Sequence, residues 1–196
     1  LQKKTSLGKE QMDQIDWDTH RKALQHQPTM LQIRLIKFLH NWLNTGEQKV
    51  RINSNAIGDC PICGKVEESW THLLKCKHIK AVTTRTAAVT KLKGDLRKLK
   101  TAPIITMVLI YKINQWFGNT SDRPPQIPDD KVGLHLGLAL EEQADIGWEN
   151  FMKGRVSKKW GERHKYYTQR RYTGKTTDKS MKNGQRNWLN GSGRYF

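Results

Sequence analysis

Cys60, Cys63, His72 and Cys76 are the residues whose types and spacing could do chemistry. They read C-x2-C-x8-H-x3-C, and all three cysteines of the 196-residue protein fall within these 17 positions. Thiolates and an imidazole gathered this tightly are the usual ligand set of Zn2+. The Cys-x-x-Cys turn presents two thiolates from one loop, and Gly64 after it supplies the positive φ such a turn often needs. His72 and Cys76 are four residues apart and so share a helix face. Ser69 stands where the cap of that helix belongs, with Leu73 and Leu74 to pack it down. A loop pair plus a helix pair makes a closed structural site. Three thiolates and a neutral imidazole leave Zn2+ with one net negative charge, and Lys65, Lys75, Lys77 and Lys80 lie close enough in sequence to offset it.

Other readings stay open at this level. A disulfide scheme leaves one of the three cysteines unpaired, and a lone Cys-x-x-Cys also serves as a thioredoxin-like redox pair. The redox reading wants a buried strand before the motif, and residues 55–59 do not have that composition. His78, two residues after Cys76, is an alternative ligand with poor helical spacing and reads better as a surface residue.

The net charge is +17, from 35 basic and 18 acidic residues. Residues 151–196 alone hold 13 Lys or Arg against Glu162 and Asp178. A polyanionic partner explains this most simply, and RNA or DNA is the commonest polyanion. The candidate contacts are Lys153, Arg155, Lys158, Lys159, Arg163, Lys165, Arg170 and Arg171. The bland alternative is a solvated basic tail. No apolar run reaches the roughly 20 residues of a membrane span, and no secretory signal opens the chain. Few cysteines, grouped as ligands, fit a reducing compartment. The expectation is therefore an intracellular protein, nuclear or cytoplasmic, with no membrane or small-molecule partner. It begins with Leu1, as a fragment or processed piece would.

The elements that must position these residues read as all-α, with a small zinc-knuckle loop and a disordered basic C-terminal tail. Residues 1–12 are expected to be loose. A short helix covers 13–25, Pro28 breaks it, and apolar spacing from Leu31 to Trp42 gives a helix over 29–44. Thr45-Gly46 stops that helix, and 49–57 connects to the knuckle at 60–76. A further helix runs to about Leu99. Pro103 opens the next one, apolar nearly all round over 104–117 and hence buried, with Trp116 and Phe117 as core residues. This helical domain spans 13–118. Three prolines make 119–130 a linker. Within a basic helical segment at 131–168, Val132 to Leu140 alternate like a strand, but composition favours a helix from about Leu136, restarted at Gly147. Residues 169–196 are polar, Gly-rich and patternless, hence disordered.

With its setting, the metal motif resembles a known family. Cys60-Pro-Ile-Cys-Gly followed by Glu68-Ser-Trp-Thr-His72-Leu-Leu-Lys-Cys76 is similar to the C-terminal zinc-binding (CCHC) region of retroelement reverse transcriptases. Ile15-Asp16-Trp17, Lys37-Phe38-Leu39 and Trp42-Leu43-Asn44-Thr45-Gly46 resemble the helices and turn before that knuckle. Ile146-Gly147-Trp148, Gly154-Arg155-Val156-Ser157, Trp160 and Arg171-Tyr172-Thr173-Gly174 resemble a recurring element of algal or protist retroelement reading frames. The likeness covers about 13–175. It departs at 175–196, which lacks a Trp-rich terminal helix, as a truncated or degenerate copy would. No Tyr/Phe-x-Asp-Asp polymerase motif is present.

The resemblance implies a non-catalytic, zinc-holding, nucleic-acid-binding module downstream of a polymerase, with that polymerase as a possible partner. Two alternatives follow from other residues. Asp129 after Pro128, with Glu141 or Glu142, fits loosely a restriction-like endonuclease using Mg2+. A helical protein-interaction scaffold would instead show an exposed apolar patch on 104–117.

Overall fold

The computed structural model of the protein describes residues 7–118 and 123–172. Among the described residues the chain is all-α, with two isolated β-bridges and no sheet. The helices are α1 (Lys9–Gln14), α2 (Trp17–Gln25), α3 (Thr29–Leu39), α4 (Gly46–Ile52), α5 (Trp70–Lys75), α6 (Ile79–Lys98), α7 (Pro103–Trp116), α8 (Lys131–Ile146), α9 (Trp148–Met152) and α10 (Lys158–Tyr172). None of them is long and apolar enough to cross a membrane.

The segment expected to be one helix over 13–25 is two, and the first begins inside the stretch expected to be loose. The break falls at Ile15-Asp16 because Asp16 caps α2. Its carboxylate accepts from the Thr19 N–H at 2.9 Å and from the Thr19 hydroxyl at 2.6 Å, a local bond that competes with helix continuation. Ile15, fully buried, bridges Ser157, and the Asp16 N–H donates to the Val156 carbonyl at 2.9 Å. The break between α1 and α2 is thereby pinned to the turn before α10.

α3 ends at Leu39 instead of running to residue 44. Asn41 takes φ 57°, and the N–H groups of Asn41 and Trp42 return to the carbonyls of Phe38 and Lys37. This is a left-handed C-terminal cap, to which asparagine is well suited. Thr45-Gly46 does not stop that helix but opens α4, in what read as a connector. Gly46 has a packing reason: a Cβ there would lie 1.9 Å from the Gly58 carbonyl oxygen.

α6 and α7 begin and end close to where the sequence put them. α7 supplies Ile105, Val108, Leu109 and Ile113 to a core completed by Ala102, Leu136, Ala139, Phe151 and Trp160. Burial is not all round, since Met107 is 50% exposed. Phe117 packs against this core, as expected, whereas Trp116, also expected there, is half-buried outside it.

α8 starts at Lys131, five residues before the expected start, because Asp130 caps it by accepting from the Gly133 N–H at 2.9 Å. The strand-like alternation of 132–140 is thus taken up by a helix. The single basic helix expected after Gly147 is divided into α9 and α10. Gly154, at φ 73°, turns the chain between them, and the fully buried Gln143 fastens that turn to α8. Its side chain donates to the Arg155 carbonyl at 3.3 Å and accepts from the Ser157 N–H at 3.0 Å. α10 continues through Tyr172, so residues 169–172 are helical where disorder was expected. The rest of the expected tail, 173–196, lies outside the described residues.

Candidate metal centre

The four candidate ligands converge. Their donor atoms all lie within 4.8 Å of one another, and the Cys63 sulfur is 3.4 Å from His72 Nε2. Cys60 and Cys76 are buried, while Cys63 and His72 are half-buried. The grouping can hold a metal ion.

Local bonds aim each pair. In the loop, the Gly64 N–H returns to the Cys60 carbonyl at 2.7 Å with Gly64 at φ 63°, the turn that the glycine permits. The Cys60 N–H donates to the Val66 carbonyl at 2.8 Å, and Asp59 bridges Glu67, so the loop closes as a miniature hairpin. On the helix side, the Ser69 hydroxyl accepts from the His72 N–H at 3.0 Å and caps α5 as expected. Cys76 is the last residue of the turn and its carbonyl accepts from Arg85 Nη1 at 2.8 Å.

Electrostatics favour thiolate at the outer cysteine. The Lys65 backbone N–H bonded to the Cys63 sulfur brings that thiol down to about 7, against the cost of partial desolvation. At Cys76 the His78 N–H also favours thiolate, but burial and the neighbouring Cys63 sulfur outweigh it and push the thiol up. Two unshielded thiolates this close repel, and a cation among them removes the repulsion.

Two supporting roles escaped the sequence reading, that of Glu68, quoted there only as part of the motif, and that of Arg85. Glu68, buried at 9% exposure, accepts from the Gly46 N–H at 2.8 Å through Oε2, and its own N–H donates to the Gly58 carbonyl at 2.8 Å. It ties the knuckle to the N-terminus of α4. Arg85, nine residues beyond Cys76 on another helix, has no local spacing signal that could reveal its bond.

Of the lysines expected to offset the site's charge, Lys75 lies over the Trp116 ring at 4.2 Å, and Lys65, Lys77 and Lys80 are exposed.

Two of the eight candidate C-terminal phosphate contacts are buried instead of facing solvent. Lys153 is 5% exposed and Arg163 is 2% exposed. Lys153 pairs with Glu149 at 3.3 Å, and Arg155 donates to Asn150 Oδ1 at 2.6 Å. Lys158 donates to the Asp13 carbonyl, and Lys159 pairs with Glu162 at 3.2 Å. Lys165 is exposed. The Arg170 and Arg171 side chains lie outside the described residues. The cause is the division at Gly154, which turns Lys153 inward and gives α10 a buried stripe of Trp160 and Arg163.

Asp129 is exposed just before α8, and Glu141 and Glu142 sit near its far end. Ten residues of helix separate them by roughly 15 Å, and Glu142 accepts from the Ser157 hydroxyl. These carboxylates are not brought together.

Compared with known proteins, the chain matches no family model, no curated protein and no solved structure.

Proposed function

We propose that the chain is a non-catalytic module in which a structural Zn2+ clasps helices that grip RNA or DNA, of the kind found after the polymerase of retroelement reverse transcriptases. The carrying observation is the convergence of Cys60, Cys63, His72 and Cys76 within 4.8 Å. A tetrahedral Zn2+ with Zn–S bonds near 2.3 Å places its sulfurs about 3.8 Å apart, which these positions accommodate with small side-chain adjustment. Cys60, Cys63, His72 and Cys76 would all be ligands, leaving no open coordination position, so zinc would serve the fold and not a reaction. The net charge of +17 supports a polyanionic partner. The family assignment rests on the residues quoted above, and an intracellular setting accords with three ungrouped-by-disulfide thiols.

Metal analysis of the purified chain, joined to a salt series of nucleic-acid binding, tests this. One zinc per chain is expected, with log affinity falling against log salt at about −0.9 per phosphate neutralised on duplex. Cys63→Ser should lose zinc and order in α5. Full binding and full helicity without zinc would defeat the proposal.

A second reading has one observation in its favour. A cavity of about 500 Å3 with mainly apolar walls, including Leu35, Phe38, Leu74, Val89 and Trp160, opens between α2–α3 and the helices that follow. Met30, Ile33 and Ile36 of α3 are also exposed. A scaffold that docks a partner helix would use such a surface, and binding of the polymerase portion with no affinity for nucleic acid would favour it.

A further inference from the structure

We infer that the solvent face of α6 is the surface along which a strand of nucleic acid lies. This deepens the nucleic-acid reading above and rests on it. α6 is 20 residues long, about 30 Å of helix. Ala81, Leu92 and Leu96 mark its inward side. Lys80, Lys91 and Lys98 run along one edge of the opposite side, and Lys93 and Arg97 lie toward its other edge. All five are exposed. Helical spacing sets Thr83, Ala87, Thr90 and Gly94 on the strip between the two edges. Asp95 is the sole acidic residue of the helix, and Lys98 approaches it at 3.5 Å.

Gly94 bears on what lies there. A Cβ at this position would meet nothing within 4 Å, so no neighbour in the fold demands glycine, although glycine in mid-helix costs about 1 kcal/mol relative to alanine. A strip of small side chains between two cationic edges lets a sugar–phosphate chain approach the helix closely. Ammonium and guanidinium groups then reach its phosphate oxygens from both sides. The strip starts beside the metal knuckle: Lys80 is four residues past Cys76, and exposed Lys77 lies between them. Clasping α5 to α6 would therefore fix one end of the surface.

Other polyanionic partners fit this face less well. A helix lying on an anionic membrane needs a flank of bulky apolar residues, and the large apolar side chain exposed on α6 is Ile79, at its first residue. An acidic protein partner would want aromatic or aliphatic anchors, which the strip does not offer.

The test uses the full zinc-loaded chain and fluorescence anisotropy with labelled oligonucleotides of about 20 nucleotides, single-stranded and duplex, between about 50 and 200 mM salt. Lys91→Gln, Lys93→Gln, Arg97→Gln and Lys98→Gln together should make the duplex salt slope shallower by about 3 and weaken Kd about 100-fold at the low-salt end. Gly94→Leu keeps every charge and improves helix propensity. It should weaken binding about tenfold while Tm and helicity hold. Lys165→Gln, Arg170→Gln and Arg171→Gln together should change neither slope nor Kd. Wild-type binding with an unchanged slope in the fourfold variant overturns this placement alone, as does a loss carried by the C-terminal triple variant. A wild-type chain that binds no nucleic acid overturns the functional reading itself. So does capture by phosphatidylserine vesicles in place of oligonucleotides.

Discussion

The ammonium of Lys153 stands 4.0 Å from the centroid of the Trp70 ring. This contact joins the turn after α9 to the first residue of the metal helix. On another side Lys75 of α5 lies over Trp116 of α7, and Arg85 of α6 holds the Cys76 carbonyl. α5 has six residues, far too few to stay helical by itself. It is held by cations against aromatic faces, and a metal bound through His72 and Cys76 would add to that hold. One of the candidate phosphate contacts is thus a structural link to the candidate metal site.

Lys153→Ala should accordingly cost about 2 kcal/mol, the scale of a desolvated cation–π contact, and leave nucleic-acid affinity unchanged. Lys153→Glu should cost more, because it buries a carboxylate beside Glu149. Urea unfolding together with anisotropy checks both. A tenfold loss of affinity at wild-type stability would return Lys153 to the list of phosphate ligands.

The buried carboxylate of Glu68 carries the second prediction. Glu68→Ala leaves the Gly46 N–H without its acceptor, which costs about 1–3 kcal/mol. By loosening the loop that aims Cys60 and Cys63, it should lower zinc affinity by 10- to 100-fold, as the loss of supporting bonds around ligands does. Glu68→Gln keeps an acceptor and should lose less of both. Gly46→Ala should be worse than either, since the added methyl meets backbone at 1.9 Å that has no easy retreat. Competition with a colorimetric zinc chelator reads affinity, and unfolding reads stability.

Much of this was legible in the sequence where the signal was local. The four ligands, the Ser69 cap, α6 and the Pro103 start of α7 are all set by spacing or by one residue's conformational preference. What escaped was set at a distance. α4 exists because Gly46 packs on Gly58 and Glu68 receives its first N–H, partners 12 and 22 residues away. Lys153 is buried because Gly154 takes φ 73° and Trp70 waits 83 residues upstream, which no periodicity reports. The alternation in 132–140 misled in the other direction. On α8, residues two apart fall on opposite faces, so Leu136 is fully buried while Leu134 and Leu138 are exposed, a two-faced split that looks the same in sequence as a strand's.

Removal of the metal gives a third prediction. Chelation should melt α5 and the 60–69 loop while sparing α7, whose Ile105, Val108 and Ile113 are packed in the main core. Native-state hydrogen exchange should show protection lost at residues 70–75 and kept at 105–113. Trp70 fluorescence should shift as its contacts with Lys153 and Phe38 dissolve. Global unfolding on chelation would show instead that the knuckle and the core are one cooperative unit.

The last prediction concerns acid. Burial holds both His20 and His164 below the ordinary imidazole value of 6.5, with Arg155 adding to the effect at His20 and the bond to the Gly154 carbonyl opposing it. His20 Nδ1 lies 2.9 Å from that carbonyl oxygen, so the neutral ring donates there. Since the folded values lie below the unfolded one, the unfolded chain binds more protons in the window beneath about pH 6.5, and stability falls as pH drops through it. Each histidine steepens the fall by at most about 1.4 kcal/mol per pH unit. Acid also weakens metal binding, because ligands must be deprotonated to bind, so the two effects must be separated. His20→Gln can still donate to the Gly154 carbonyl but does not titrate. Its stability should therefore fall less steeply with acid than wild type, while its zinc release, followed by chelator absorbance, keeps the wild-type midpoint. Equal slopes for the two proteins would mean that His20 charges as readily in the folded chain as in the unfolded one.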